Sequence, residues 1–474
     1  MPTIADLMRA LPEDRGAEET LEGVSAPLAA VSLRPVPVGR LRRLGLLGTL
    51  QAKVAAAYLF YWVRGWFQNA GERERSLAEA HWKTALRVLD SMGYLRGAAM
   101  KIGQTLANFP DIVPAEFVET LDELHYSAPP MHWALLREMV ENELGDDPEN
   151  LFASFSKRAF AAASLGQVHA GRLRSGEEVA VKIQYPGIAR TIGEDFRNLA
   201  LFLLPGRLDK DWEHVKNQMD DLRMRLERET DYQAEAAMLA KARSVFREED
   251  GILIPKVYPE LSTARVLTME RIEGVHLDEF LRGNPSQEER NEAGRKVLRA
   301  WYRLFMTGRV VYADFHPGNF LFRKDGRLGV IDFGFVLPLE GELWNIFGRM
   351  DRLFRTGRRE DRIAAVKEWS WITDDPIDAE RLRLSEEYAD WVWRSIYGGG
   401  DFYFGDEANF KRGVDLFTEI ARKRYSRSRP CTPTLSRQQF GIASILYRLK
   451  ARVDVRSISE KELKATDWGS PERH

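Results

Sequence analysis

The chain has 474 residues, 44% hydrophobic and 30% charged, with a formal net charge of −2. That length suits two or three lobes sharing an extended core, and the composition excludes a disordered or fibrous chain. The near-neutral charge gives no general attraction for nucleic acid, and the one cysteine, Cys431, excludes an intrachain disulfide and a cysteine metal cluster, as suits a reducing compartment.

Residues 1–40 mix Pro, Ala, Gly and acidic residues without periodicity and read as a loose N-terminal arm. No basic region leads into an apolar one at the start, so a secretory signal is not expected. Leu44 to Val63 is largely apolar, flanked by Arg40, Arg42, Arg43 and Arg64 and interrupted by Lys53. A core or inter-lobe helix, a helix lying on a membrane surface and a spanning helix all stay open there. Lys53 near the middle counts against spanning, and Tyr58, Tyr61, Trp62 and Trp66 suit an interface.

Residues 41–150 form a helical region. Apolar residues recur at three and four through Leu77–Leu89, Leu95–Phe109 and Phe117–Leu124, punctuated by Pro110, Pro114, Pro129 and Pro130. Residues 151–273 change texture. Phe160 to Gln184 reads as strand, tight loop, strand, a turn at Ser175-Gly176 and a final strand. Trp212 to Phe246 reads as one long charged helix, and Ile252–Val257 and Ala264–Glu270 as strands. A hinge near Met269–Gly274 leads into residues 274–474, which are helical through Trp344 to Leu449 except around a short segment of conspicuous chemistry.

That segment is Asp314-Phe315-His316-Pro317-Gly318-Asn319, followed by Asp332-Phe333-Gly334. A carboxylate, an amide five residues on and a second carboxylate before glycine form the base-and-metal half of a kinase site: Asp314 orients the nucleophile, while Asn319 and Asp332 hold magnesium on ATP phosphates. Lys182, in Val179-Ala180-Val181-Lys182, would be the strand lysine that reaches those phosphates; alone it would be an ordinary edge residue. Ala161-Ala162-Ala163-Ser164-Leu165-Gly166-Gln167-Val168 stands where a glycine-rich phosphate loop belongs, with alanine in place of the first two glycines and only Gly166 retained. Glu229, Asp231 and Glu235 fall on the long helix, where four-residue spacing would point Asp231 and Glu235 at the cleft together. Lys101 and Gln104 share one face of an upstream helix, by themselves a routine polar stripe.

Together these motifs resemble the UbiB/AarF family of atypical kinases, bacterial relatives of the kinase-like proteins of coenzyme Q biosynthesis. The resemblance rests on Lys101-x-Gly103-Gln104, the Ala161–Ser164 loop, Val179 to Gly187, Glu229-x-Asp231-Tyr232-x-x-Glu235, Asp314 to Asn319 and Asp332-Phe333-Gly334. It implies an α+β, bilobal protein-kinase-like fold: a small β-rich N-lobe, a helical C-lobe, and an N-terminal helical extension covering the cleft. It further implies that Lys182 pairs with Glu235, that Glu229 and Asp231 face the Lys101–Gln104 helix, and that Lys101, Gln104, Glu229 and Asp231, with Lys182, Ala161, Ala162, Ala163, Ser164, Gly166, Val168, Met269 and Glu270, bind the nucleotide. Asp314, Lys182 and Glu235 would be catalytic, Asn319 and Asp332 the metal ligands, and ATP and Mg2+ the cofactors.

The chain departs from the family at Tyr312, where many relatives have His, and lacks a clear C-terminal pair of apolar helices that some carry. No Ala-Pro-Glu follows Asp332-Phe333-Gly334, which counts against a protein substrate. The functional expectation is a Mg-ATP-dependent kinase or ATPase serving isoprenoid quinone or lipid metabolism. It would be cytoplasmic, with peripheral contact at the inner face of the membrane, a small-molecule or lipid substrate, quinone-biosynthesis proteins as partners and no nucleic acid. The alternatives are a nucleotide-binding scaffold without turnover and, more remotely, a protein Ser/Thr kinase.

Overall fold

The computed structural model describes residues 133–163, 165–186, 188, 228–312, 314–370, 378–423, 432–464 and 466. The readings on residues 1–132, with Lys101 and Gln104 among them, and those on Ser164 and Cys431 lie outside these residues. The chain divides into two compact units. One comprises Leu7–Gly171 and Val181–Thr230, the other Met1–Asp6, Arg172–Ala180 and Asp231–His474.

In the first unit, helices α1 (Trp133–Leu144) and α2 (Pro148–Leu151) lead into strands β1 (Ser154–Ala163) and β2 (Gly166–Arg172) and the second half of β3 (Glu178–Gln184), in the strand order β1-β2-β3. Asp147 starts α2 by accepting the Glu149 amide at 2.8 Å, with Pro148 at the first helical position. β1 begins earlier than Phe160, the start read from the sequence, because Trp133 of α1 stacks on Phe155 with ring centroids 5.3 Å apart. The buried His169 lies 5.6 Å from the Phe155 ring and bonds the Ser156 carbonyl through Nδ1 at 2.8 Å. Since a carbonyl only accepts, Nδ1 carries the proton, and burial pushes the His169 pKa down.

The second unit starts with the turn after β2, where Gly176 takes φ +102° and its amide closes on the Leu173 carbonyl at 2.9 Å. The first half of β3 neighbours β5 (Val266–Glu270). The charged stretch read as one helix from Trp212 is interrupted at Thr230 and Asp231. Helix α3 (Tyr232–Ser244) begins only after Asp231, whose carboxylate accepts the amides of Gln233 and Ala234. Of the strand expected over Ile252–Val257, only β4 (Ile252–Leu253) forms; it runs parallel to the chain at Leu328 and Gly329.

Beyond the hinge come α4 (Leu277–Arg282), α5 (Gln287–Met306), β6 (Val310–Tyr312), β7 (Phe320–Phe322), β8 (Leu328–Val330) and β9 (Val336–Pro338). They are followed by α6 (Gly341–Arg355), α7 (Arg359–Ser370), α8 (Ala379–Tyr397), β10 (Phe402–Tyr403), α9 (Glu407–Arg422), α10 (Thr432–Leu449), β11 (Arg452–Val453) and α11 (Val455–Leu463). The helical run expected from Trp344 to Leu449 is thus broken by β10, which pairs with β11.

Helix α5 organises this unit. Ser286 and Glu289 form a reciprocal capping box at its start, worth about 1 kcal/mol. Its apolar face buries Val297, Leu298, Leu304 and Met306, and the helix packs against α10, α11 and β6. At Gly294 a Cβ would come within 2.8 Å of Ala451, so only glycine allows this approach. Arg303 joins distant parts of the chain, donating to both Glu462 carboxylate oxygens at 2.8 Å and also to Asp250. Among the described residues, no helix is long and apolar enough to cross a membrane.

Candidate active site

In the second unit, two short β pairings hold the acidic residues. β6 pairs antiparallel with β9, bringing Tyr312 opposite Val336, and β7 with β8, bringing Phe320 opposite Val330. The chain between β6 and β7 carries Asp314, and the chain between β8 and β9 carries Asp332, Phe333 and Gly334, so both carboxylates emerge from strand ends in one small framework.

Asn319 fixes the loop from within. Its amide nitrogen donates to the Asp314 carbonyl at 2.9 Å and to the Asp314 carboxylate at 3.0 Å. With the NH2 committed, the amide oxygen is the end left to meet a cation. His316 caps the turn Pro317–Asn319, its Nδ1 accepting the Gly318 amide at 3.0 Å, and the Ile331 amide donates to the Asn319 carbonyl at 3.1 Å. One Asp332 oxygen accepts the Gly334 amide at 2.9 Å.

Glu235 reaches the same place. It lies in the first turn of α3, is buried, and its Oε1 accepts the Phe333 amide at 3.4 Å. Asp231, expected on the same helical face, is instead the extended N-cap residue and is exposed; the four-residue argument fails because Asp231 is not in the helix.

Tyr312 supplies a brace whose partner the sequence does not disclose. Its hydroxyl donates to the Asp332 carbonyl at 2.7 Å, and its ring lies 5.0 Å from both Phe315 and Phe333. Burial, then the nearby Asp332 and Asp314 charges, push its pKa well above the usual tyrosine value, so it stays a hydrogen-bond donor. Gln438 of α10 donates to the Tyr312 carbonyl at 3.0 Å, and Gly441 lies so close to Phe315 that a Cβ would sit 2.4 Å from its carbonyl oxygen. Sequence reasoning missed Gln438 and Gly441, for neither lies near a recognisable motif.

At the hinge, Met269 is buried, and the Glu270 amide donates to the Lys256 carbonyl at 2.7 Å. One Glu270 carboxylate oxygen accepts from the Lys256 amide at 3.1 Å and from Arg243 at 3.2 Å. These bonds tie the hinge strand to the end of α3.

In the first unit, Lys182 is buried on β3 between fully buried Val181 and Ile183. Gln184 donates to the Thr230 carbonyl at 2.6 Å, tying the end of β3 to the chain just after Glu229. Ala161, Ala162 and Ala163 complete β1 and are not part of a loop, and β2 begins at Gly166. Val168 is buried on β2. The expectation that Gly166 serves phosphate approach and positive φ meets a different geometry. A Cβ there would lie 2.1 Å from the Ile183 carbonyl oxygen, and Gly166 is not among the glycines with positive φ. Glycine is required by the approach of β2 to β3.

Residues 123–348 match the ABC1 atypical kinase-like domain. The mitochondrial atypical kinase COQ8B of Danio rerio is 27% identical, over 95% of this chain and 73% of its own length. The mitochondrial atypical kinase COQ8 of Saccharomyces cerevisiae is 31% identical, over 64% of this chain and 60% of its own. The chain thus carries an ABC1 atypical kinase-like domain and is similar to atypical kinases of the UbiB/AarF family over most of its length. A similar solved structure is the complex of Rv3197 with erythromycin from Mycobacterium tuberculosis, at 26% identity and a TM-score of 0.55, covering 84% of this chain and all of that one. The fold is therefore kinase-like as well as α+β. Within the matched residues lie the family's Asp-x-His-Pro-Gly-Asn and Asp-Phe-Gly elements, the two that meet through Tyr312.

Proposed function

We propose that this atypical kinase is a Mg-ATP-dependent phosphotransferase or ATPase, with residues 151–273 and 274–474 as its kinase-like lobes and residues 41–150 as a helical extension. The observation that supports this most is the bonding of Asp314 to Asn319, next to Asp332, whose following amide is held by Glu235. The donors on offer are carboxylate and amide oxygens, the hard ligands that magnesium takes. Asn319 and Asp332 would hold the ion, which when bound neutralises charge on the phosphates. Asp314 orients the attacking hydroxyl or water and accepts its proton. Lys182 binds phosphate oxygens with Glu235 as its carboxylate partner. Ala161, Ala162, Ala163, Ser164, Val168, Met269 and Glu270 contribute to nucleotide binding. Lys101, Gln104, Glu229 and Asp231 likewise contribute to nucleotide binding.

On family grounds we assign a role in ubiquinone or other isoprenoid quinone or lipid metabolism. We expect a cytoplasmic protein in peripheral contact with the inner face of the membrane, with a small-molecule or lipid acceptor and quinone-biosynthesis proteins as partners. A second reading, a nucleotide-binding scaffold without turnover, is favoured by the alanines that complete β1 in place of the flexible glycine loop that cradles a γ-phosphate. Phosphate release from ATP, measured with and without anionic liposomes, separates the two. Release that rises with liposomes and disappears in Asp332→Asn supports the enzyme. ATP binding together with complementation of a deletion strain, both without release, supports the scaffold.

A further inference from the structure

The second unit contains a cavity of about 130 Å³ that takes no part in the site above. It lies among α5, α8, α9 and α10 and is walled by aromatic side chains, among them Trp301, Phe305, Trp391 and Phe402. A dry cavity of about this size accommodates one small ring.

Several polar groups of its wall are already engaged by neighbours, and two buried ones are not. The Trp391 indole donates to the Asn409 carbonyl at 2.9 Å, Gln439 accepts from Tyr388 at 3.0 Å, and Gln438 donates to Tyr312. The Asp351 carboxylate is paired with Arg355 at 2.6 Å, so the wall presents no uncompensated charge. The Tyr302 hydroxyl is buried beside Ser459 and Arg355 without a hydrogen-bond partner, but a hydroxyl can both donate and accept and so does not by itself call for an acceptor. The Trp301 indole N–H is buried without a hydrogen-bond partner. An indole nitrogen can only donate, so what it lacks is an acceptor.

We propose that this cavity binds a neutral, single-ring apolar molecule carrying a carbonyl-type oxygen, which accepts from Trp301 Nε1. Neutrality follows from the paired charge, ring size from the volume, and the oxygen from the unmet donor. Gln438 lines the same cavity and holds the Tyr312 carbonyl, so the bound molecule would sit one side chain away from the catalytic loop.

The test uses two isosteric probes on the full chain by titration calorimetry: acetophenone, and α-methylstyrene, in which a methylene replaces the carbonyl oxygen. Both should bind, acetophenone about fivefold more tightly, as one net hydrogen bond gives. Trp301→Phe should keep α-methylstyrene binding and bring the two affinities within about twofold. Ala443→Phe, which fills the cavity from α10, should abolish both, and it decides the matter if Trp301→Phe does not fold. The proposal is overturned if neither probe binds at millimolar concentration, if wild type shows no preference for acetophenone, if the preference survives in Trp301→Phe, or if binding survives in Ala443→Phe.

Discussion

Replacing Tyr312 by phenylalanine removes one hydroxyl from the centre of the candidate site and nothing else. The lost bond is the 2.7 Å contact to the Asp332 carbonyl. The ring contacts to Phe315 and Phe333 remain, so the stacking part, about 0.5–1.5 kcal/mol per pair, is unchanged. A hydrogen bond of this kind contributes a net ~1 kcal/mol, so its removal from partly buried surroundings should cost about 1–2 kcal/mol. For a unit of this size that corresponds to a fall in melting temperature of roughly 2–6 °C. The hydroxyl also holds the backbone of the expected metal ligand, so Mg-ATP should bind more weakly in Tyr312→Phe while metal-free ATP binding changes little. Scanning calorimetry with and without Mg-ATP reads both effects. An unchanged melting temperature together with unchanged Mg-ATP affinity would refute the brace. Histidine here should restore part of the bond through an imidazole N–H, with a pH dependence near neutrality that tyrosine lacks.

Other positions give equally definite expectations. Gly441→Ala should destabilise by about 1–3 kcal/mol, because the new Cβ meets the Phe315 carbonyl at 2.4 Å, even though helix propensity alone favours alanine by about 1 kcal/mol; a raised melting temperature would contradict the packing. Arg303→Met should cost roughly 3–5 kcal/mol by leaving Glu462 buried and unpaired, and adding Glu462→Leu should recover much of it, as a double-mutant cycle in urea would register. His169 binds protons more readily in the unfolded chain, where its pKa is near 6.5, than in the folded one, where it is lowered. Its contribution is therefore present above pH 6.5 and lost as pH falls below it, and the melting temperature should drop less between pH 6.5 and 5 in His169→Asn than in wild type.

What the sequence disclosed and what it withheld divide along physical lines. Asp314, Asn319 and Asp332 were legible because metal and base chemistry demands particular side chains at short spacing, and the strands around them because apolar runs bound those residues. Asp231 was misread because helical periodicity cannot see where a helix begins. A capping aspartate and a helical one look alike in a charged stretch, and only the extended backbone at Asp231 separates them. Gly166 was assigned to phosphate contact, since a glycine reports only that a Cβ is unwelcome; the Ile183 carbonyl 2.1 Å away supplies the reason. Gln438 and Gly441 were not legible at all. Their partners Tyr312 and Phe315 lie far away in the chain, and no local pattern records a tertiary contact of that range.

The central claim is that Asn319 and Asp332 make nucleotide binding depend on magnesium. Titration calorimetry of ATP, with and without Mg2+, on wild type and Asp332→Asn tests it most directly. The account predicts that magnesium tightens ATP binding to wild type by tenfold or more, and that Asp332→Asn removes this gain while its melting temperature without ligand stays within a few degrees of wild type. ATP binding that is absent, indifferent to magnesium, or equally magnesium-dependent in Asp332→Asn would contradict it.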